Sequence, residues 1–210
     1  ITFLFFFVFL IIIYELLVKM VYVIYNDIPS KKRISYGRYS VIKQSGKYLF
    51  KILNQLIISE KRQNNIDVYR IGEGIYSGDF EDQFIRSLGV QLASLAAELN
   101  ENILDDVLDL FDRAASDKHW EMRECSAGFI RKLIKKYPDK MLLWYIKMAE
   151  SIDPLKRRFA VESLRPVADN GWFKKNPEFA FTILEKLYKE SEAYPRTSVG
   201  NSLSDWMRID

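Results

Sequence analysis

One short pattern, written three times between Asp117 and Leu203, restricts this chain more than anything else in it. Aligned on an arginine, the copies read Trp120-Glu-Met-Arg123-Glu-Cys-Ser126-Ala-Gly-Phe-Ile130, then Asp153-Pro-Leu-Lys-Arg157-Arg-Phe-Ala160-Val-Glu-Ser-Leu164, then Glu192-Ala-Tyr-Pro-Arg196-Thr-Ser-Val199-Gly-Asn-Ser-Leu203. A small or β-branched residue stands three after each arginine and an aliphatic one seven after. The arginines lie 34 and 39 positions apart, which is the spacing of helical repeats. Such a repeat is one antiparallel helix pair that cannot bury its apolar face alone, so its neighbours must stack on it. The expected fold is all-α, a solenoid of helix pairs.

The rhythm of apolar residues extends that reading to residues 79–210. Phe84, Ile85, Leu88, Leu92, Leu95, Ala96 and Leu99 recur near a 3.6-residue period, and Ile103, Val107, Leu110 and Phe111 continue it. His119–Tyr137 and Pro138–Glu150 read as the next pair. Asp153-Pro154 supplies an N-cap and a first-turn proline for a helix ended or bent at Asn170-Gly171. Pro177–Glu190 and Tyr194–Arg208 complete seven helices, and no stretch reads as a strand. The array is HEAT-like, and at Asp210 it reads as truncated.

The first 78 residues are of another kind. They carry 11 Lys/Arg against 5 Asp/Glu, whereas residues 79–210 carry 20 against 23. A nucleic-acid partner must therefore meet a local basic face of the repeat region, not a uniformly basic protein. Residues 1–29 hold an uncharged apolar run, Ile1–Tyr14, resumed at Met20–Tyr25. Two readings of it stand, a membrane anchor or an extension foreign to the native protein, and membrane contact through residues 1–25 is the less favoured partner. Residues 30–78 read as a polar and helical linker region, closed by a turn-rich joint at Ile71–Gly78. The glycines there are not a phosphate loop, since no Gly-Lys-Ser/Thr follows them.

Composition removes several chemistries. One cysteine, Cys125, excludes an internal disulfide, and with one histidine it leaves a His/Cys metal site short of ligands. No Ser-His-Asp or Cys-His set supports nucleophilic catalysis. On a helical wheel of His119–Tyr137, Met122, Cys125, Phe129 and Leu133 share the expected core face. Trp120, Glu124 and Arg131 fall opposite, beside Arg123 and Ala127. A large aromatic on a polar face, one turn from a carboxylate, is the feature that most needs a function. The competing structural explanation packs Trp120 on the preceding repeat and pairs Glu124 with an arginine of the next. Arg157, Arg158, Arg165, Lys174 and Lys175, with Trp172, suit phosphate contacts. A structural role competes for Arg123, Arg196 and one of Arg157/Arg158, but none is evident for Arg165, Lys174 or Lys175. Asp117, Asp153 and Glu192 read as caps and partners between repeats.

The phrases Asp117-Lys-His-Trp-Glu-Met-Arg-Glu124, Arg157-Arg-Phe-Ala-Val-Glu-Ser-Leu-Arg-Pro166 and Tyr194-Pro-Arg-Thr-Ser-Val-Gly-Asn-Ser-Leu-Ser-Asp205 together resemble the bacterial DNA alkylation repair family, the HEAT-like-repeat DNA glycosylases of the AlkC/AlkD type. The resemblance covers Asp79 to the end. It implies a monomeric, cytoplasmic hydrolase that excises cationic N-alkylated purines (3-methyladenine or 7-methylguanine) from duplex DNA, without cofactor or metal. It also implies that Trp120 and Glu124 form the catalytic pair and that Arg157 or Arg158 contacts DNA. The chain departs from the AlkD branch in having Glu at 124 for Asp, and Asn201 after Gly200 where that branch has tryptophan. The alternative reading is a non-catalytic HEAT-repeat module that binds nucleic acid or protein.

Overall fold

The computed structural model describes residues 65–78, 83–166 and 171–208. The chain divides into two units, Ile1–Lys61 and Arg62–Asp210, and every described residue belongs to the second. The apolar run and its membrane contact lie outside the described residues.

Among the described residues all regular structure is helical. In chain order the elements are α1 (Asn65–Ser77), α2 (Gln83–Leu99), a 3₁₀ turn (Glu101–Ile103), α3 (Leu104–Ala115), α4 (Trp120–Phe129), α5 (Arg131–Lys136), α6 (Pro138–Ala149), α7 (Pro154–Ser163), α8 (Gly171–Lys175), α9 (Pro177–Lys186) and α10 (Ala193–Trp206). None of these helices is long and apolar enough to cross a membrane.

Helices α2, α4, α7 and α10 pack in succession as one row, and they include all three arginine-bearing copies. α3 rests on α2, α4 and α7, while α6 rests on α7 and α9. This is the expected HEAT-like solenoid of stacked pairs. Helices of ten residues, such as α4 and α7, are not stable by themselves, so they depend on that stacking. α3 shows the principle: Leu104, Val107, Leu108, Phe111 and Ala115 form its buried stripe, and Asp105, Asp106 and Asp109 face water. Each fully buried Leu or Phe contributes about 1.5–3 kcal/mol. One continuous core runs from Tyr76 to Trp206. Tyr145, Phe159, Phe173 and Phe179 of this core and the partly buried Trp144 and Trp172 packed against it meet edge to face, the arrangement that aromatic quadrupoles favour.

Four local expectations need correction. Ile71–Ser77 is the second half of α1, not a turn, because its glycine serves a helix crossing. A Cβ on Gly72 would stand 2.6 Å from the Gly89 carbonyl oxygen and 2.9 Å from the Ala93 nitrogen. His119–Tyr137 is not one helix but α4 and α5, divided at Ile130. α7 ends at Ser163, well short of Asn170, consistent with the restriction that Pro166 imposes on the residue before it. Ala127, placed with the polar side of its helix, is buried, whereas Cys125 is only half-buried. The capping prolines behave as expected: Pro138, Pro154 and Pro177 all lie in first turns.

Candidate functional site

The aligned arginines prove to be the joint of each repeat. Arg123 Nη1 donates to the carbonyls of Asp117 and Lys118, at 2.5 and 3.3 Å. Arg157 Nη1 donates to those of Ser151 and Ile152, at 2.9 and 3.0 Å. Arg196 Nη1 donates to that of Ser191 at 2.9 Å. Each guanidinium thus folds back on the loop entering its own helix and satisfies carbonyls that no helix bond reaches. Arg157 also grips Glu190 through Nε at 2.6 Å and Nη2 at 3.1 Å. That fork holds the Glu190 carboxyl below its ordinary range.

The acidic caps divide in the same way. Asp153 accepts the Leu155 amide at 2.8 Å and Ser116 Oγ at 2.5 Å, so it caps α7 and ties it to the loop between α3 and α4. Asp117 accepts the His119 amide at 2.9 Å and pairs with Arg86 at 2.6 Å. Burial works to raise the Asp117 carboxyl, but Arg86 and the His119 amide together hold it below its ordinary value. Glu192 makes no cap bond, and Glu190 instead accepts the Glu192 amide at 2.9 Å.

With the joints fixed, the residue after each arginine points away from that joint: Glu124 to open solvent, Arg158 into a half-buried position 18% exposed. Glu124 follows Arg123 and Arg158 follows Arg157, so the two occupy equivalent positions on neighbouring helices and lie side by side. Arg158 Nη2 stands 3.7 Å from Glu124 Oε2 and 3.5 Å from Glu162 Oε1. Its guanidinium lies over the Tyr194 ring, 4.6 Å from the centroid. Tyr194 Oη in turn accepts from Arg123 Nη2 at 3.2 Å. Trp120, one turn before Glu124, is 56% exposed, so it does not pack away against the preceding repeat. Trp120, Glu124, Arg158 and Tyr194 together make a surface over α4, α7 and α10.

Beneath it is a polar hub. Glu162 is buried and accepts Ser198 Oγ at 2.6 Å and Arg165 Nη1 at 3.1 Å. Arg165, for which the sequence offers no structural role, has one: its Nε and Nη2 reach Asp205 Oδ2 at 2.7 and 2.6 Å, so it joins α7 to α10. Arg131 donates to the carbonyls of Glu162 and Ser163, at 3.1 and 3.0 Å, placing positive charge at the C-terminus of α7 as the helix dipole favours.

The remaining candidates stand apart. Trp172 is partly buried and packs edge-on against Phe173 and Phe179 at the border of the core, while Lys174 and Lys175 are exposed on the short α8. Burial pushes the Cys125 thiol up, away from thiolate reactivity. Among the described residues no group of three or more His, Cys, Asp or Glu is placed to hold a metal ion. Tyr194 is not among the site residues expected from the sequence. Its signal is that it lies two residues before a repeat arginine, on the helix next to Arg158.

No family model and no curated protein matches this chain. Two solved structures share its fold. AlkD2 from Streptococcus mutans is 24% identical, with a TM-score of 0.58 over 80% of this chain and 84% of that one. The protein smu.31 from Streptococcus mutans UA159 is 23% identical, with a TM-score of 0.53 over 76% and 82%. The likeness assigns this chain an AlkD-like helical-repeat fold.

Proposed function

We propose that this protein is a DNA-repair N-glycosylase that excises cationic N-alkylated purines from duplex DNA. The observation that carries this reading is the Trp120–Glu124 pair: an indole open to solvent, and one turn on a carboxylate held only loosely by Arg158. The chemistry asks little more. An N-alkylated purine already carries positive charge, so its glycosidic bond breaks with the electron pair leaving on the base, which becomes neutral. The sugar is left as an oxocarbenium ion. Glu124 stabilises that cation and takes the proton of the water that adds to C1′. Removing a preorganised group of this kind lowers a rate by about 10²–10³. Trp120 packs against the damaged nucleotide, and Arg158 meets a backbone phosphate.

A second reading, a HEAT-repeat module that binds nucleic acid or a protein partner without catalysis, is favoured by one observation: Arg158 stands 3.7 Å from Glu124 and partly neutralises it. The test is release of 3-methyladenine and 7-methylguanine from methylated duplex DNA by the wild type and by Glu124→Gln. Glu124 is 45% exposed, so the variant is expected to fold normally and to lose about two to three orders of magnitude in release. Equal release by both proteins removes Glu124 from the mechanism. Binding without release by the wild type favours the module.

A further inference from the structure

Two adjacent arginines on α7 have opposite fates. Arg157 makes four hydrogen bonds to Glu190, Ser151 and Ile152, so its fork is committed to the fold. Arg158 approaches two carboxylates at 3.5 and 3.7 Å, longer than charge-assisted hydrogen bonds. Among the described residues no hydrogen bond orients its guanidinium. Besides those two carboxylates, the contact that orients it is the face of Tyr194, at 4.6 Å. Stacking on a ring occupies one face of a guanidinium and leaves its N–H edge for anions: here Nη2 faces the two carboxylates, while Nε and Nη1 make no hydrogen bond among the described residues. The ring is itself held, because its hydroxyl accepts from Arg123, which the Asp117 and Lys118 carbonyls anchor. A line of contacts therefore runs from the loop before α4, through Arg123 and Tyr194, to Arg158.

We propose that Tyr194 is the positioning residue that aims Arg158 at a phosphate of the DNA backbone beside Glu124. This rests on the reading of the protein as binding duplex DNA. Tyr194 takes no part in bond breaking: it holds the arginine in a pose that a phosphate can use without reordering a long, flexible side chain.

The test is the salt dependence of duplex binding, measured by fluorescence anisotropy between 50 and 200 mM salt. The proteins are the wild type, Tyr194→Phe, Tyr194→Leu, Arg158→Ala and the double variant Tyr194→Leu/Arg158→Ala. Leucine preserves apolar bulk at this half-open position (43% exposed) but offers no π face, and melting curves check that each variant folds. Loss of one phosphate contact lowers the slope of log K against log salt by about 1. Tyr194→Leu and Arg158→Ala are each expected to lower it by that amount and to weaken binding about fivefold to tenfold. The double variant should match Arg158→Ala alone, and Tyr194→Phe, which keeps the ring face and loses only the bond from Arg123, should fall between the wild type and Tyr194→Leu. A wild-type slope in Tyr194→Leu, or additive losses in the double variant, overturns the positioning role while leaving DNA binding intact. A wild type with no salt-dependent duplex binding overturns the functional reading itself, and this role with it.

Discussion

At the scale of single residues, the repeat arginines separate structure from function. All three satisfy loop carbonyls, but their surroundings differ. Arg157 adds a two-point grip on Glu190 and is only 14% exposed, against 4% for its partner, whereas Arg196 is exposed and has the Ser191 carbonyl. Lysine keeps the charge but cannot form the fork. Arg157→Lys is therefore expected to lower stability by about 2–3 kcal/mol, in line with buried hydrogen bonds to charged groups. Arg196→Lys should change it by less than about 1 kcal/mol. Urea unfolding of the two variants checks the order, and equal losses would contradict it. The same register explains the candidate site. Since each arginine turns in toward its own loop, the next residue points toward the neighbouring helix of the row, and Glu124 meets Arg158.

At the scale of elements, the glycines are of two kinds. Gly72 and Gly89 lie where α1 crosses α2, and a methyl group on Gly72 would meet backbone atoms of Gly89 and Ala93. Backbone cannot swing aside as a side-chain tip can, so the helices must part. Gly72→Ala is expected to destabilise by about 1–3 kcal/mol, the range of overpacked contacts. Gly200, in the exposed middle of α10, has nothing within 4 Å of an added Cβ. There alanine restricts the unfolded chain at no steric penalty, and Gly200→Ala should stabilise by about 0.5–1 kcal/mol. Denaturant midpoints of the two variants should move in opposite directions.

At the scale of the whole described unit, ion pairs recur from one repeat to the next: Arg86–Asp117, Lys156–Asp112, Arg157–Glu190, Lys186–Glu150 and Arg165–Asp205. Asp117 and Glu190 both have carboxyls held below their ordinary range. The folded protein thus binds protons less readily than the unfolded chain at these sites. Their contribution is fully present above the unfolded value of about 4 and is lost as pH falls through the lower folded values. Melting temperature is expected to fall below about pH 4, as the two carboxyls protonate. Asp117→Asn and Glu190→Gln should each lower the plateau at neutral pH and flatten that acid limb. An unchanged acid limb in both variants would show that neither pair links folding to protonation.

The sequence alone determined the all-helical class, the repeat length, the first-turn prolines and the arginine register, because each is a periodic or local property that survives without knowledge of neighbours. It also placed Trp120 and Glu124 together on the polar face of their helix, since a helical wheel needs only spacing, but it left their packing on neighbouring repeats as a competing explanation. Tertiary structure decided the rest. Which of Arg157 and Arg158 is committed to the fold, why Arg165 faces Asp205, and how Tyr194 comes beneath Arg158 all depend on how one helix is rotated against the next. Gly72 reads as a turn until α2 is set against it. Rotation and crossing distance are fixed by side-chain packing between elements far apart in the chain, and no pattern within a single helix encodes them.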